Sequence, residues 1–378
     1  MSMAFVRNRM AALLLTALAT RTCLTYAQPR EIDYLFVSGE KSVYSVSPEG
    51  EVEEVVLCRD GLSFWAVSPT GFSAYGVGGR REGLGTFKSK ERPALDAVAL
   101  HFPPSKGIPE YWRDPAFRPD GSSIAFRSSS PGTAFSQIYL LTLGAVRRLT
   151  RFETAVITQL SWSPDGRRIA FYCDPTGRAD PDFYTGDFEL WVAEIEGAAK
   201  SLSRAGDADI FSAARYHRPL WSPDGNDIYF SNCPDSATRQ VWCYVVAADG
   251  SREPKRVHRG VPCSISQDGR SLYVTSYERG GPGPASGIRT FCLDLKKSEV
   301  REMPGAIRWP KCSPTGQYIA FCTPNTAAIT FATSDGLITN SVDLTGRVNP
   351  FGIQDWGQRV SWVRGGWRGA DAHNPSGR

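Results

Sequence analysis

The chain has 378 residues, 41% hydrophobic and 22% charged, with 10 tryptophans, a composition that supplies a sizeable core and excludes an intrinsically disordered protein. Its formal charge is +4, and three of the positive residues (Arg7, Arg9 and Arg21) lie in the N-terminal leader described next. The remainder is close to neutral, which excludes a strongly basic nucleic-acid binder.

At the start, Arg7 and Arg9 precede an apolar run from Met10 to Ala19 that is too short to span a bilayer. Small residues follow, and Thr25-Tyr26-Ala27 before Gln28 suits signal-peptidase cleavage. The expected organisation is a signal peptide over 1–27, one domain over 28–364 and a disordered tail over 365–378. A short membrane anchor is the alternative for the leader. The product is expected to be periplasmic or secreted, monomeric, and without a stable membrane span after leader removal. Eight cysteines remain after cleavage, and none forms a close pair near a histidine, so no zinc pattern arises. Several occupy positions where other repeats place core residues, which favours buried thiols over a full disulfide set.

Along the chain a hairpin signal recurs. It ends at Gly71 ("VSPTG"), Gly121 ("FRPDG"), Gly166 and Gly225 (both "WSPDG"), Gly269 ("ISQDG"), Gly316 ("CSPTG") and, in degenerate form, Gly357 ("IQDWG"). The spacing of roughly 40 to 60 residues is that of propeller blades of about four strands. Proline presets φ at the second turn position, Asp165 can satisfy nearby backbone N–H groups, and Gly166 tolerates a left-handed exit. After the glycines the sequence alternates: Ile124, Ile169, Ile228, Leu272, Ile319 and Val360 stand three residues on, with Phe126, Phe171, Phe230, Val274, Phe321 and Trp362 five on. Period two with bulky residues on one face predicts strands in stacked sheets. Third strands read "QIYLLTL", "ELWVAEI", "QVWCYVV", "GIRTFCLDL" and "AAITFAT", and helical periodicity is absent.

The ends look like complementary fragments of one blade. "DYLFVSGEKSVYSVSPEGEVEEVV" reads as three strands, and "NPFGIQDWGQRVSWV" as the first strand or two. Pairing them would leave no open edge. The expected fold is therefore an all-β, seven-bladed β-propeller closed by its N- and C-terminal strands. One strand is surplus in that count, so six or eight blades stay open.

The repeats "WSPDGRRIAF", "WSPDGNDIYF", "FRPDGSSIAF" and "CSPTGQYIAF" resemble those of TolB-like β-propellers, relatives of WD-repeat blades, from Tyr34 to Val363. Similar repeats form the propeller halves of prolyl-oligopeptidase-type peptidases. The resemblance implies the architecture and transfers no catalytic residue, because the shared positions are structural. It departs from TolB in having fewer than ten residues between the leader and the first strand, and from the peptidases in having no G-x-S-x-G.

Propellers bind where loops leading to the innermost strands converge. Eight residues before the turn glycines stand Ser63, Arg113, Thr158, His217, Val261, Arg308 and Asn349. With neighbours Trp112, Arg218 and Trp309, the residues Arg113, His217 and Arg308 would form a cationic, aromatic rim suited to a carboxylate or phosphate. Solvated arginines paired with acids such as Asp114 are the plainer alternative. His217 could serve as a lone general base, but too few histidines converge for a metal site. The acidic insertion with Asp174, Asp180, Asp182 and Asp187 fits no EF-hand spacing. No catalytic residue, metal or cofactor is assigned. The expected function is an exported, non-catalytic propeller binding an envelope or secreted protein partner or a small anionic ligand. The alternative is a channel-mouth lyase or hydrolase acting on an acidic sugar or peptide.

Overall fold

A computed structural model describes residues 33–38, 42–57, 63–67, 73–78, 81–86, 97–98, 111–129, 135–142, 145–179, 188–203, 217–232, 240–277, 287–305, 307–322, 326–347 and 360–363. The leader, the tail and most of the acidic insertion fall outside them. Among the described residues every regular element is a strand. No helix there is long and apolar enough to cross a membrane.

The strands group into four-stranded sheets in which sequence neighbours pair antiparallel, the arrangement of an all-β propeller. The Ser-Pro-Asp-Gly tetrad shows why each hairpin forms. Gly166, at φ 65°, donates its N–H to the Ser163 carbonyl at 2.9 Å. Asp165 accepts from the Arg167 N–H at 3.0 Å, and the Ser163 hydroxyl accepts from the Arg168 N–H at 2.9 Å. The same bonds recur around Ser222 and Asp224, and around Ser266 and Asp268. The serine thus closes the turn together with the aspartate and glycine.

Apolar residues emerging from these hairpins fill the spaces between adjacent sheets. One cluster joins Tyr172 and Leu190 of one sheet to Trp221, Ile228 and Phe230 of the next. A second joins Ala125, Ile138 and Leu140 to Ile157, Ile169 and Phe171. A third joins Tyr273 and Cys292 to Ile319 and Phe321. Face-to-face packing of this kind is the dominant stabilising term, at about 25 cal/mol per Å² of apolar surface removed from water. Indole N–H groups clasp neighbouring inner strands: Trp162 donates to the Ala116 carbonyl at 2.8 Å and Trp221 to the Ser161 carbonyl at 3.1 Å.

Six sheets have described side chains, and a further one, built from Ser63–Val67, Ser73–Gly78, Arg81–Thr86 and Ala97–Val98, is described by its backbone. In the closing sheet, Val360–Val363 pairs with Tyr34–Ser38, with register Tyr34↔Val363 and Val37↔Val360. Ser42–Val46 and Val52–Leu57 complete it. The expected pairing of the two ends is therefore present. Its details correct the sequence reading. Val360 and Trp362 lie on the edge strand beside Tyr34–Ser38, the place of a first strand rather than a second, and the expected turn at Gly357 lies outside the described residues. Among the described residues the C-terminal segment contributes one strand to three N-terminal ones. Trp362 clasps the adjacent inner strand, donating to the Lys311 carbonyl at 3.0 Å. Asp33 adds a second latch by accepting from the Thr315 N–H at 3.0 Å.

All six described cysteines are free: Cys173, Cys243, Cys292 and Cys322 are buried, and Cys263 and Cys312 half-buried. Asp174, at the start of the acidic insertion, organises its own turn, accepting from the Thr176 N–H at 2.8 Å and the Ala179 N–H at 2.6 Å.

Candidate functional site in the central channel

Innermost strands carry a break in register where they line the propeller axis. It falls between Arg113 and Ala116, Thr158 and Ser161, Pro262 and Ser264, and Arg308 and Lys311. Such bulges insert an extra residue and re-aim its side chain. Here the inserted positions include Asp114, Gln159 and Trp309, with φ of 54°, 59° and 49°. Non-glycine residues held in this left-handed region at equivalent points of three strands mark a functional candidate. All three stand seven residues before their turn glycine, and Arg218 holds the same place in its repeat.

Asp114 is the anionic centre of this region. Its Oδ2 accepts from Arg127 Nε at 2.6 Å, from the Thr158 hydroxyl at 3.3 Å and from the Gln159 N–H at 3.4 Å. Both members of the ion pair are about 95% buried. Burial alone would raise the Asp114 pKa, but the Arg127 and Arg218 guanidiniums and the hydrogen bonds outweigh it and hold the carboxyl below its usual range. Arg218 reaches the carbonyl of Pro115, two sheets away, at 2.8 Å, so its side chain spans the interior. Its Nε is buried without a hydrogen-bond partner.

Two obligate cations therefore share one described carboxylate, and Lys311 adds a third basic group. Burial, and then the repulsion of Arg218, pull the Lys311 pKa down to about 8. Cys263 lies close enough to feel Lys311: burial pushes the thiol up to about 11, with the ammonium opposing the rise.

His217 meets Trp309 across the same region, its Nε2 accepting from the indole N–H at 3.0 Å. Indole is a donor only, so Nε2 carries no proton and the neutral ring is protonated on Nδ1. Burial, then Lys311, push the His217 pKa down to about 3. A neutral ring whose basic nitrogen already accepts a hydrogen bond is a poor general base, which corrects that reading. Arg308 lies 5.7 Å over the Trp309 ring.

Of the residues expected at the rim, the structure thus brings His217, Arg218, Trp309 and Arg308 together. Arg113 and Trp112 have described backbone only. Sequence reasoning missed Arg127 and Lys311, although both carry a signal. Lys311 stands five residues before its turn glycine, where other repeats have Ala116, Ser161, Leu220 and Ser264. Arg127 stands six after, in the row of Tyr172, Ser231, Thr275 and Cys322. Each is a charge at a place otherwise uncharged.

No family model matches the chain. Over 221 residues, 55% of the chain, it is 28% identical to the uncharacterized peptidase YuxL of Bacillus subtilis, and it spans 29% of that protein. Puromycin hydrolase shares the fold with a TM-score of 0.57 at 14% identity, covering 84% of this chain and 53% of that one. TolB from Acinetobacter baumannii aligns with a TM-score of 0.47 at 16% identity, over 86% of this chain and 67% of that one. The chain thus spans about a third of the peptidase and half of the hydrolase. The expectation of a non-catalytic binder is corrected, because the relatives include proteins named as a peptidase and a hydrolase. What the likeness to solved structures establishes for this chain is the β-propeller fold.

Proposed function

We propose that this chain serves peptide hydrolysis, with its central channel receiving the carboxylate of an acidic or free-ended peptide. The observation that carries the reading is the 28% identity over 221 residues to a protein named as a peptidase. The channel supports the substrate class. Arg127 and Arg218 both act on the carboxylate of Asp114, and the buried Arg218 Nε can donate to an incoming one. A carboxylate bound there would meet a region of low dielectric and net positive charge, where charge-assisted bonds are strong.

The test is digestion of a peptide panel by the purified chain, with free or amidated C-termini, followed by mass spectrometry. Cleavage of free-ended peptides, lost in Arg218→Met, is expected. Absence of cleavage for every peptide, in a chain shown by circular dichroism to be folded, would overturn the reading. The same proposal takes the sheets as seven blades of one ring, to be counted in axial views by electron microscopy. It also places the protein in the envelope, where the N-terminal peptide recovered from cells should begin at Gln28.

A further inference from the structure

We propose that the outer strand Lys255–Arg259 is a docking edge for a membrane surface bearing anionic phospholipid headgroups. The strand is the last of its four-stranded sheet and so lies on the outer rim of the propeller. Within five residues it places Lys255, Arg256, His258 and Arg259, and no acid. Lys255 and Arg256 are exposed and Arg259 is half-buried. None of the three cations makes an ion pair among the described residues. Asp227, on the same sheet, is taken by Arg252.

Arg256 is held ready to bind. The strand register sets Tyr244 opposite Arg256 and Trp242 opposite Arg259, so these four side chains share one face of the sheet. The Arg256 guanidinium lies 4.8 Å over the Trp242 ring, and its Nε donates to the Tyr244 hydroxyl at 3.1 Å. Stacking and that bond fix the plane of the group. Both terminal nitrogens remain as unused donors among the described residues, in the paired geometry that phosphate oxygens accept. Other outer strands lack this combination. Charge at a sheet edge deters strand pairing, and Ala199–Ser201 does so with Lys200 alone, which also donates to the Asp249 carbonyl at 2.9 Å. In Ala145–Arg148, Arg147 and Arg148 donate to the carbonyls of Ile195 and Thr150. Glu299–Glu302, Ile338–Asp343 and Val52–Leu57 carry acids.

The exposure of the strand selects the partner. A single phosphate bound on an open rim stays solvated, and an exposed ion pair of that kind is worth little. A membrane instead presents many headgroups to the whole row, and its negative surface potential attracts each cation. At that strength each cation raises binding about five-fold, and the three together on the order of 100-fold. Trp242 and Tyr244, half-buried at the same edge, are the side chains favoured at a membrane–water boundary. Nucleic acid is disfavoured by the near balance of 43 basic and 39 acidic residues in the chain. This rim is remote from the channel reading, because vesicle binding is measured without any peptide substrate.

The experiment sediments the full chain with vesicles of phosphatidylglycerol and phosphatidylcholine in equal parts, and with vesicles of phosphatidylcholine alone. Binding to the anionic vesicles that weakens as salt rises, and none to the neutral ones, is expected. The triple variant Lys255→Gln/Arg256→Gln/Arg259→Gln should bind on the order of 100-fold more weakly. Arg147→Gln/Arg148→Gln, on another outer strand, should stay within about two-fold of the wild type. Lys255→Gln alone, at an exposed side chain, should lose about five-fold and keeps the test decisive if the triple variant does not fold. Equal binding to both kinds of vesicle would overturn the proposal, as would wild-type binding by the Lys255 variants or an equal loss in the Arg147/Arg148 pair. Release by inorganic phosphate matched to the lipid phosphate would also overturn it, by marking a discrete anion site, and so would retention on heparin without vesicle binding.

Discussion

Replacing Asp114 by asparagine would test the charge arrangement of the channel. Asparagine matches the side chain's size and tolerates the left-handed backbone at φ 54°, so the change isolates the charge. In the wild type, the carboxylate holds Arg127 at 2.6 Å with both groups about 95% buried, and the Arg218 guanidinium also lies in its field. Breaking a buried pair by neutralising one partner costs about 3–5 kcal/mol, because the other charge is left uncompensated. Unfolding entropy of about 2 cal/mol/K per residue, summed over a propeller of this size, makes each kcal/mol worth roughly 1.5 °C. The variant should therefore melt about 4–7 °C lower in calorimetry at pH 7. The double variant Asp114→Asn/Arg127→Met should recover part of that loss, since a neutral pair no longer strands a charge. Because the folded Asp114 pKa is depressed, its contribution is full above the unfolded value and is lost as pH falls through the folded one. The gap between wild type and variant should thus close in acid below pH 3.8. A drop of less than about 1 °C, or strict additivity in the double variant, would refute the assignment of Asp114 as the counter-charge.

His217, with a pKa of about 3 against an ordinary 6.5, is neutral when folded and takes up a proton on unfolding. Between those values stability should fall with decreasing pH by up to about 1.4 kcal/mol per unit, and His217→Gln, which keeps an acceptor for Trp309, should flatten that slope in denaturant titrations. Gly260 sits at φ 121°, and an added Cβ would lie 2.6 Å from the Thr275 carbonyl oxygen. Gly260→Ala should cost about 3 kcal/mol, whereas Gly316→Asn, at φ 74° with open space around it, should stay within about 1 kcal/mol by the same measurement. Trp362→Ala removes the indole clasp on Lys311 and the edge contact with Phe331. A loss of about 3 kcal/mol is expected, with faster limited proteolysis at the closing sheet.

The turns were legible because their chemistry is local: four consecutive residues dictate the hairpin, and alternation after the glycine dictates which side chains meet the next sheet. The channel was half legible. Counting back from each glycine found His217, Arg218, Arg308 and Trp309, because inner strands begin at a fixed distance from their turns. It could not show which way those side chains point. The register breaks at Asp114, Gln159 and Trp309 reverse the pleat locally, and a break depends on the pairing of two strands rather than on either alone. Arg127 was hidden for a related reason, since its partner Asp114 lies on the neighbouring strand across that break. The degenerate "IQDWG" at Gly357 lies outside the described residues, whereas "VSWV" at 360–363 takes the place of the strand that precedes the turn in other repeats.

The seam between Tyr34–Ser38 and Val360–Val363 also sets an order of events in biosynthesis. Tyr34–Ser38 leaves the ribosome long before its partner Val360–Val363, so local hairpins can zip up during translation while the seam stays unlatched. Contacts between such remote segments form slowly. In that interval the unpaired edge of Tyr34–Ser38 is exposed to any passing strand, and chaperone dependence should concentrate there.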